Sequence, residues 1–143
     1  MNPGVDTKKS TWSRIRKVVY WITTGFIAYE LTLGAFWDFN ILNKSFVETI
    51  MQKLEYPLYF AHIMGAWKIP GAIVLVINGF PRVKEWVYAG AFFMYTGAIA
   101  SHLILGDITG ALIPLILTVI EVTSYMLRPP ARRFMGMYQI HLL

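Results

Sequence analysis

The chain has no cysteine, and charged residues make up only 15% of its 143 residues. Without thiols it cannot by itself hold an iron–sulfur cluster or a thiolate zinc site, nor run a thiol–disulfide relay. Hydrophobic residues make up 56%, and the mean hydropathy is +0.50. Because so small a soluble protein has a high surface-to-volume ratio, it cannot bury this much apolar surface. The composition therefore predicts a protein that has lipid as its solvent.

Four apolar runs predict membrane-spanning helices at about residues 18–36, 58–77, 86–105 and 108–127. Each run is near the roughly 20 residues that cross a hydrocarbon core of about 30 Å. None shows the strict alternation of a barrel strand, so helices must satisfy the backbone. The predicted fold class is all-α: an integral membrane four-helix bundle, formed by a single membrane domain over residues 1–143. In the external loop 38–56, Ser45 and Glu48 have the spacing of a capping box, which predicts a short interfacial helix.

Lysine and arginine follow the pattern that orients membrane proteins. Three segments, the N-terminal tail, the second loop and the C-terminal tail, carry ten of these residues: Lys8, Lys9, Arg14, Arg16, Lys17, Arg82, Lys84, Arg128, Arg132 and Arg133. The first and third loops carry only Lys44 and Lys53. The positive-inside rule therefore places both termini in the cytoplasm. Since the net charge of +5 is distributed in this way and no nucleic-acid motif accompanies it, the expected partner is the lipid bilayer, not nucleic acid.

Four ionisable residues are expected at a similar depth on the outer side of the bundle: Glu30, His62, His102 and Asp107. A charge in the hydrocarbon region costs several kcal/mol on insertion scales unless it is paired or wetted, so these groups need partners. Three interpretations remain open. The histidines hydrogen-bond to the carboxylates and only cap the bundle, or the group forms a pocket that anchors a ligand or handles protons. Haem or metal binding at His62 and His102 is the least favoured.

A second polar layer is predicted near the midplane, where Lys68 and Glu121 are expected to form an ion pair. That pair is either structural or a site that exchanges protons as a ligand binds. On the third apolar run, Tyr88, Tyr95 and His102 recur every seven residues and therefore share one helix face. An aromatic stripe of this kind is more often core packing than a ligand wall, and both interpretations remain open.

Several stretches of the sequence together resemble the DoxX-like family of small four-helix membrane proteins. They are residues 56–60, 65–72, 81–90, 97–102, 106–107 and 124–129. The most specific are Lys84-Glu85-Trp86 and the segment from Ser101-His102 to Gly106-Asp107. The resemblance implies a four-helix bundle in the bacterial cytoplasmic membrane. It implies little chemistry, because relatives are tied to quinone-linked sulfur oxidation, to oxidative-stress complexes or to receptor assembly. Where relatives often carry leucines after the buried lysine, Ile69-Pro70 stands here.

The preferred hypothesis is a buried polar pocket, open to the outer leaflet, for a quinone-like or other amphipathic small molecule. The ligand-binding candidates are Glu30, His62, Lys68, Tyr88, Tyr95, His102, Asp107 and Glu121; no catalytic residue or metal site is assigned. The chain would then serve as a membrane subunit of a redox system, with a partner protein or a bound cofactor supplying electrons. One alternative is a non-catalytic accessory or assembly subunit, and a third is a proton-coupled transporter. Homo-oligomers are compatible with each hypothesis.

Overall fold

The computed structural model describes residues 3–42 and 44–133, with side chains from residue 13 onward except at position 44. These residues form five α-helices and no strand. The helices are α1 (Pro3–Asp38), α2 (Lys44–Lys53), α3 (Leu58–Val76), α4 (Pro81–Ile104) and α5 (Ile108–Leu127), followed by a 3-10 turn at Pro130–Arg132. The all-α class is confirmed for these residues. The remaining positions of the predicted single domain lie outside the described part.

The helix bounds agree with the hydropathy runs at α3 and α5 but not at α1 and α4. The prediction that the third long helix begins at Trp86 was wrong, because α4 begins at Pro81. Proline suits this first position, since its missing N–H has no partner there in any helix. The first helix likewise begins near residue 3, well before residue 18. The hydropathy pattern shows where the apolar, lipid-facing part of a helix begins. The helix itself starts earlier, in the polar residues that precede that part.

Three helices, α3, α4 and α5, are long and apolar enough to cross a membrane. The fourth long helix, α1, does not meet the same criterion of length and composition, because its apolar stretch is diluted by polar residues such as Thr23, Thr24 and Glu30. Large apolar side chains cover the outside of the molecule: Trp67 and Trp86 are each 73% exposed. An apolar surface of this kind is favourable in lipid, whereas in water it promotes aggregation.

The long helices pack unequally. Helix α1 contacts α3 and α5 extensively, and α4 contacts α5, whereas α3 and α4 touch at far fewer positions. The core joins four helices through Ile27, Ala28, Leu31, Ala72, Leu75, Tyr88, Ala91, Tyr95 and Leu117. The end of α3 lies beside Tyr20, in the middle of α1, and beside the start of α4. The weak contact between α3 and α4 leaves a cleft on that side of the bundle.

Buried cations close the end of the molecule where α3 finishes. Lys84 is fully buried and Arg132 is almost so. Both donate hydrogen bonds to the last turn of α3 and the residue after it, where a helix leaves carbonyls unsatisfied. The acceptors are the carbonyl oxygens of Val74, Leu75, Val76 and Ile77. Arg128 pairs with Glu85 at 2.9 Å beside them. From the sequence, Lys84 and Arg132 were expected to set the membrane topology. In the structure they also cap the C-terminal end of α3.

Gly65 allows α3 to approach the end of α1 closely. A Cβ at this position would lie 2.9 Å from the Cβ of Asp38 and 3.2 Å from the ring of Phe39. We expect Gly65→Ala to lower the melting temperature of the purified protein in detergent, since overpacking of this kind costs about 1–3 kcal/mol. Gly25→Ala is the matched control because no atom lies within 4 Å of its added Cβ. Equal melting temperatures for the two variants would contradict the close approach.

Candidate functional site

Two polar contacts join α1 to α3 and α1 to α4, and Lys68 makes the first of them. Its ammonium Nζ is 2.7 Å from Oδ2 of Asp38. On the same face of α1, Glu30 accepts a hydrogen bond from the hydroxyl of Tyr95. The prediction that Lys68 pairs with Glu121 was therefore wrong. Glu30, Lys68 and Tyr95 do come together as site candidates, with Asp38 as a member that the sequence interpretation missed.

The spacing of α1 explains this arrangement. Glu30, Gly34 and Asp38 are four residues apart, so they line up on one face of the helix. A Cβ at Gly34 would lie 3.1 Å from Nζ of Lys68 and 3.5 Å from Oε1 of Glu30. The missing side chain thus leaves room for the lysine ammonium between the two carboxylates. This four-residue spacing is visible in the sequence, and it could have identified Asp38 as the partner of Lys68.

A cleft of about 380 Å³ opens between α3 and α4 beside Lys68. Its walls are mostly apolar, with Met64, Trp67, Trp86 and Met94 among the lining residues, and Leu31 of α1 also lines it. Lys68 is the charged residue in this wall. Ligand pockets commonly have this character: an apolar cavity of about 300–1,000 Å³ with a few placed polar groups.

Glu121 and Tyr88 line a different cleft, of about 400 Å³, between α4 and α5. Next to it, Tyr88, Thr24 and Ser124 form a fully buried cluster of hydroxyls. The Ser124 hydroxyl lies 2.8 Å from that of Tyr88 and 2.7 Å from that of Thr24. The cluster ties α1, α4 and α5 together and gives Tyr88 a packing role. Of the predicted ligand-binding residues, Lys68 lines the first cleft, and Tyr88 and Glu121 line the second.

His102 and Asp107 form a third group at the turn between α4 and α5. The carboxylate of Asp107 caps α5 at the amide of Gly110, and its Oδ2 lies 2.7 Å from Nδ1 of His102 and 2.6 Å from Nζ of Lys53. An ionised carboxylate can only accept, so Nδ1 carries the proton. Lys53 is the last residue of α2. This group therefore anchors α2 to the bundle and lines neither cleft.

His62 does not join the other site candidates. Its side chain is exposed, and its ring stacks on that of Phe39 with centroids 6.3 Å apart. The expectation that it gathers with Glu30 and His102 on the outer side was wrong, because His62 lies on the outward face of α3. Across the described side chains, no three histidine or carboxylate residues come together as a metal site. The geometry gives a haem or metal site at His62 and His102 no support.

The pKa of Asp107 gives the α2 anchor a testable pH dependence. Hydrogen bonds from Lys53, from the Gly110 amide and from His102 lower this pKa from 3.8 to about 2. Since the folded-state pKa is below the unfolded value, the stabilisation is present above about pH 4 and is lost as pH falls toward 2. Asp107→Asn keeps a good helix cap but loses the charge. We expect its melting temperature to lie below wild type at pH 7 and to converge with wild type near pH 2. A constant difference across that range would contradict the assignment.

The comparisons with known proteins concern the whole bundle. Residues 22–124 match the profile of the DoxX-like family. Neither the curated proteins nor the solved structures include one that matches the chain significantly. The matched range covers most of the chain and includes α3, α4 and most of α5, the three helices that are apolar enough to cross a membrane. The chain belongs to the DoxX-like family.

Proposed function

We propose that the chain binds a quinone-like or other amphipathic small molecule in the cleft between α3 and α4. One observation carries the proposal: a mostly apolar cleft of about 380 Å³ has a lysine in its wall, and a carboxylate of α1 holds that lysine in place. The ring or tail of the ligand would lie against Trp67 and Trp86, and its polar head would face Lys68. Because α3 and α4 pack weakly, the ligand would enter sideways from the lipid.

The chemistry of Lys68 suits a carbonyl-bearing ligand. An ammonium donates hydrogen bonds and carries positive charge, so it stabilises a carbonyl oxygen and the negative charge that develops there on reduction. Glu30 and Tyr95 are hydrogen-bonded to each other near Lys68, and we infer that the three form a line of groups able to exchange protons. Reduction of a quinone consumes two electrons and two protons. The proposed site would supply protons along this line, while electrons would come from a partner protein or a bound cofactor, since no side chain here stores them.

The proposed orientation follows from charge. Lys84, Arg128 and Arg132 lie at the end of the bundle where α3 finishes. The positive-inside rule puts that end in the cytoplasm of a bacterial cell, with α1 as the fourth spanning helix and both termini inside. The Lys68–Asp38 pair would then lie in the outer half of the membrane. The cleft extends from Met64 to Val83 and Trp86 near the cytoplasmic end, and the polar head of a ligand at Lys68 would lie toward the outer leaflet.

The test compares two substitutions on α4. Gly90 lines the cleft and Gly97 does not, and neither has an atom within 4 Å of an added Cβ. We expect wild type and Gly97→Leu to retain a lipophilic carbonyl compound through detergent purification, as measured by organic extraction and mass spectrometry. Gly90→Leu should retain at least about tenfold less, because its side chain fills the cleft. Equal retention in the two variants, or no specific compound in repeated wild-type preparations, would refute the proposal.

A Glu30→Gln variant separates the proposal from the two alternatives. An accessory or assembly subunit needs this carboxylate only for packing, so the variant would lose stability without a separate functional defect. A proton-coupled transporter would show proton flux in proteoliposomes, which Glu30→Gln would abolish. Under the proposed function, the variant keeps the bound compound, since Lys68 is intact, but slows its reduction by a supplied electron donor. Faster or unchanged reduction would count against the line of proton-exchanging groups.

A further inference from the structure

The cleft between α4 and α5 lies on the other side of α4 from the site proposed above, and the two share Trp86 as a lining residue. It has a volume of about 400 Å³. Its walls are largely aromatic, with Trp86, Tyr88, Phe92 and Tyr125 among them. Phe93 at its edge is 70% exposed, so the cleft opens to the lipid side of the molecule.

Two carboxylates line this cleft, and only one of them has a countercharge. Glu85 pairs with Arg128 at 2.9 Å, and the guanidinium of Arg128 also lies over the rings of Tyr125 and Tyr88, at 4.1 and 4.9 Å from their centroids. Glu121 is 2% exposed, and its Oε2 atom is buried without a hydrogen-bond partner. Among the described side chains, Glu121 forms no ion pair. In its ionised form, Glu121 would therefore lack a countercharge in contact with it.

We propose that this cleft is a second binding site, for a lipophilic amine whose protonated amino group pairs with Glu121. A lone buried carboxylate is costly in apolar surroundings, and a cation beside it removes most of that cost. Aromatic faces such as those of Trp86 and Phe92 also attract cations. The apolar body of the ligand extends along the cleft toward Phe93 and the lipid. An anionic or purely apolar occupant leaves the carboxylate unsatisfied.

The experiment measures binding of radiolabelled dodecylamine to the full-length protein in phosphatidylcholine nanodiscs. Saturable binding is expected, with unlabelled dodecylamine competing and dodecanol, which has the same chain but no charge, competing at least about tenfold more weakly. Glu121→Gln keeps the size of the side chain and removes its charge. It should weaken dodecylamine binding by about 10- to 100-fold, the usual effect of losing a charge-assisted hydrogen bond.

Control variants separate this site from the α3–α4 cleft and from loss of folding. Gly90→Leu blocks the other cleft and should change dodecylamine binding far less than Glu121→Gln does, because it leaves Glu121 and its cleft intact. Should Glu121→Gln fail to fold, Ala89→Phe decides instead: Ala89 is exposed and lines the α4–α5 cleft, so the added ring fills the site without changing its charge. Unchanged binding in the folded variant, or equal competition by dodecanol, would overturn the proposal.

Ethanolamine lipids also carry a protonated amino group, so a lipid of the bilayer is a second possible source of the cation. The measurement is therefore repeated in nanodiscs that contain phosphatidylethanolamine. Unchanged dodecylamine affinity is expected, since Glu121 lies inside α5, nearly two turns before the helix ends at Leu127. Loss of dodecylamine binding in those nanodiscs would assign the site to the lipid and overturn the assignment to a free amine. Failure of this proposal is distinguishable from failure of the first, because Gly90→Leu removes the quinone-like ligand while Glu121 stays in place.

Discussion

The pairing of Lys68 with Asp38 is the interaction on which the polar interior depends. In lipid, an ammonium without a partner is too costly to keep, so the α1 carboxylate fixes how α1 and α3 face each other. Gly34 and Gly65 lie along the same contact, and their lack of side chains lets the charged groups meet. Removing one partner leaves the other charge uncompensated, which is generally far more damaging than removing both.

The sequence predicted the helices well where their ends coincide with the ends of apolar runs. Both α3 and α5 are bounded by turn residues at the lipid boundary, so hydropathy and helix end together. At α4, the helix includes a charged first turn that lies outside the apolar run. Lys84 in this turn reaches back and caps the end of α3. That role depends on a tertiary contact, which no local pattern in residues 81–86 encodes.

The sequence identified candidate residues by their type, but it predicted less well which of them contact one another. Depth along a helix follows from counting residues, whereas rotation about the helix axis does not, and rotation decides which side chains face each other. Hence His62 proved exposed although its depth matched that of Glu30. Glu121 was rightly singled out as a buried carboxyl group, yet its supposed partner, Lys68, pairs with Asp38 of α1. The four-residue spacing of Glu30, Gly34 and Asp38 did indicate which face of α1 these residues share.

Trp86 lines both clefts, and that position has a thermodynamic consequence. One indole ring cannot move toward an occupant on one side of α4 without moving away from the other side. Whatever change in affinity an occupant of the first cleft imposes on the second, the second must impose on the first by the same factor. With both proposed sites occupied, this shared aromatic wall would couple the two bound molecules without any movement of the helices.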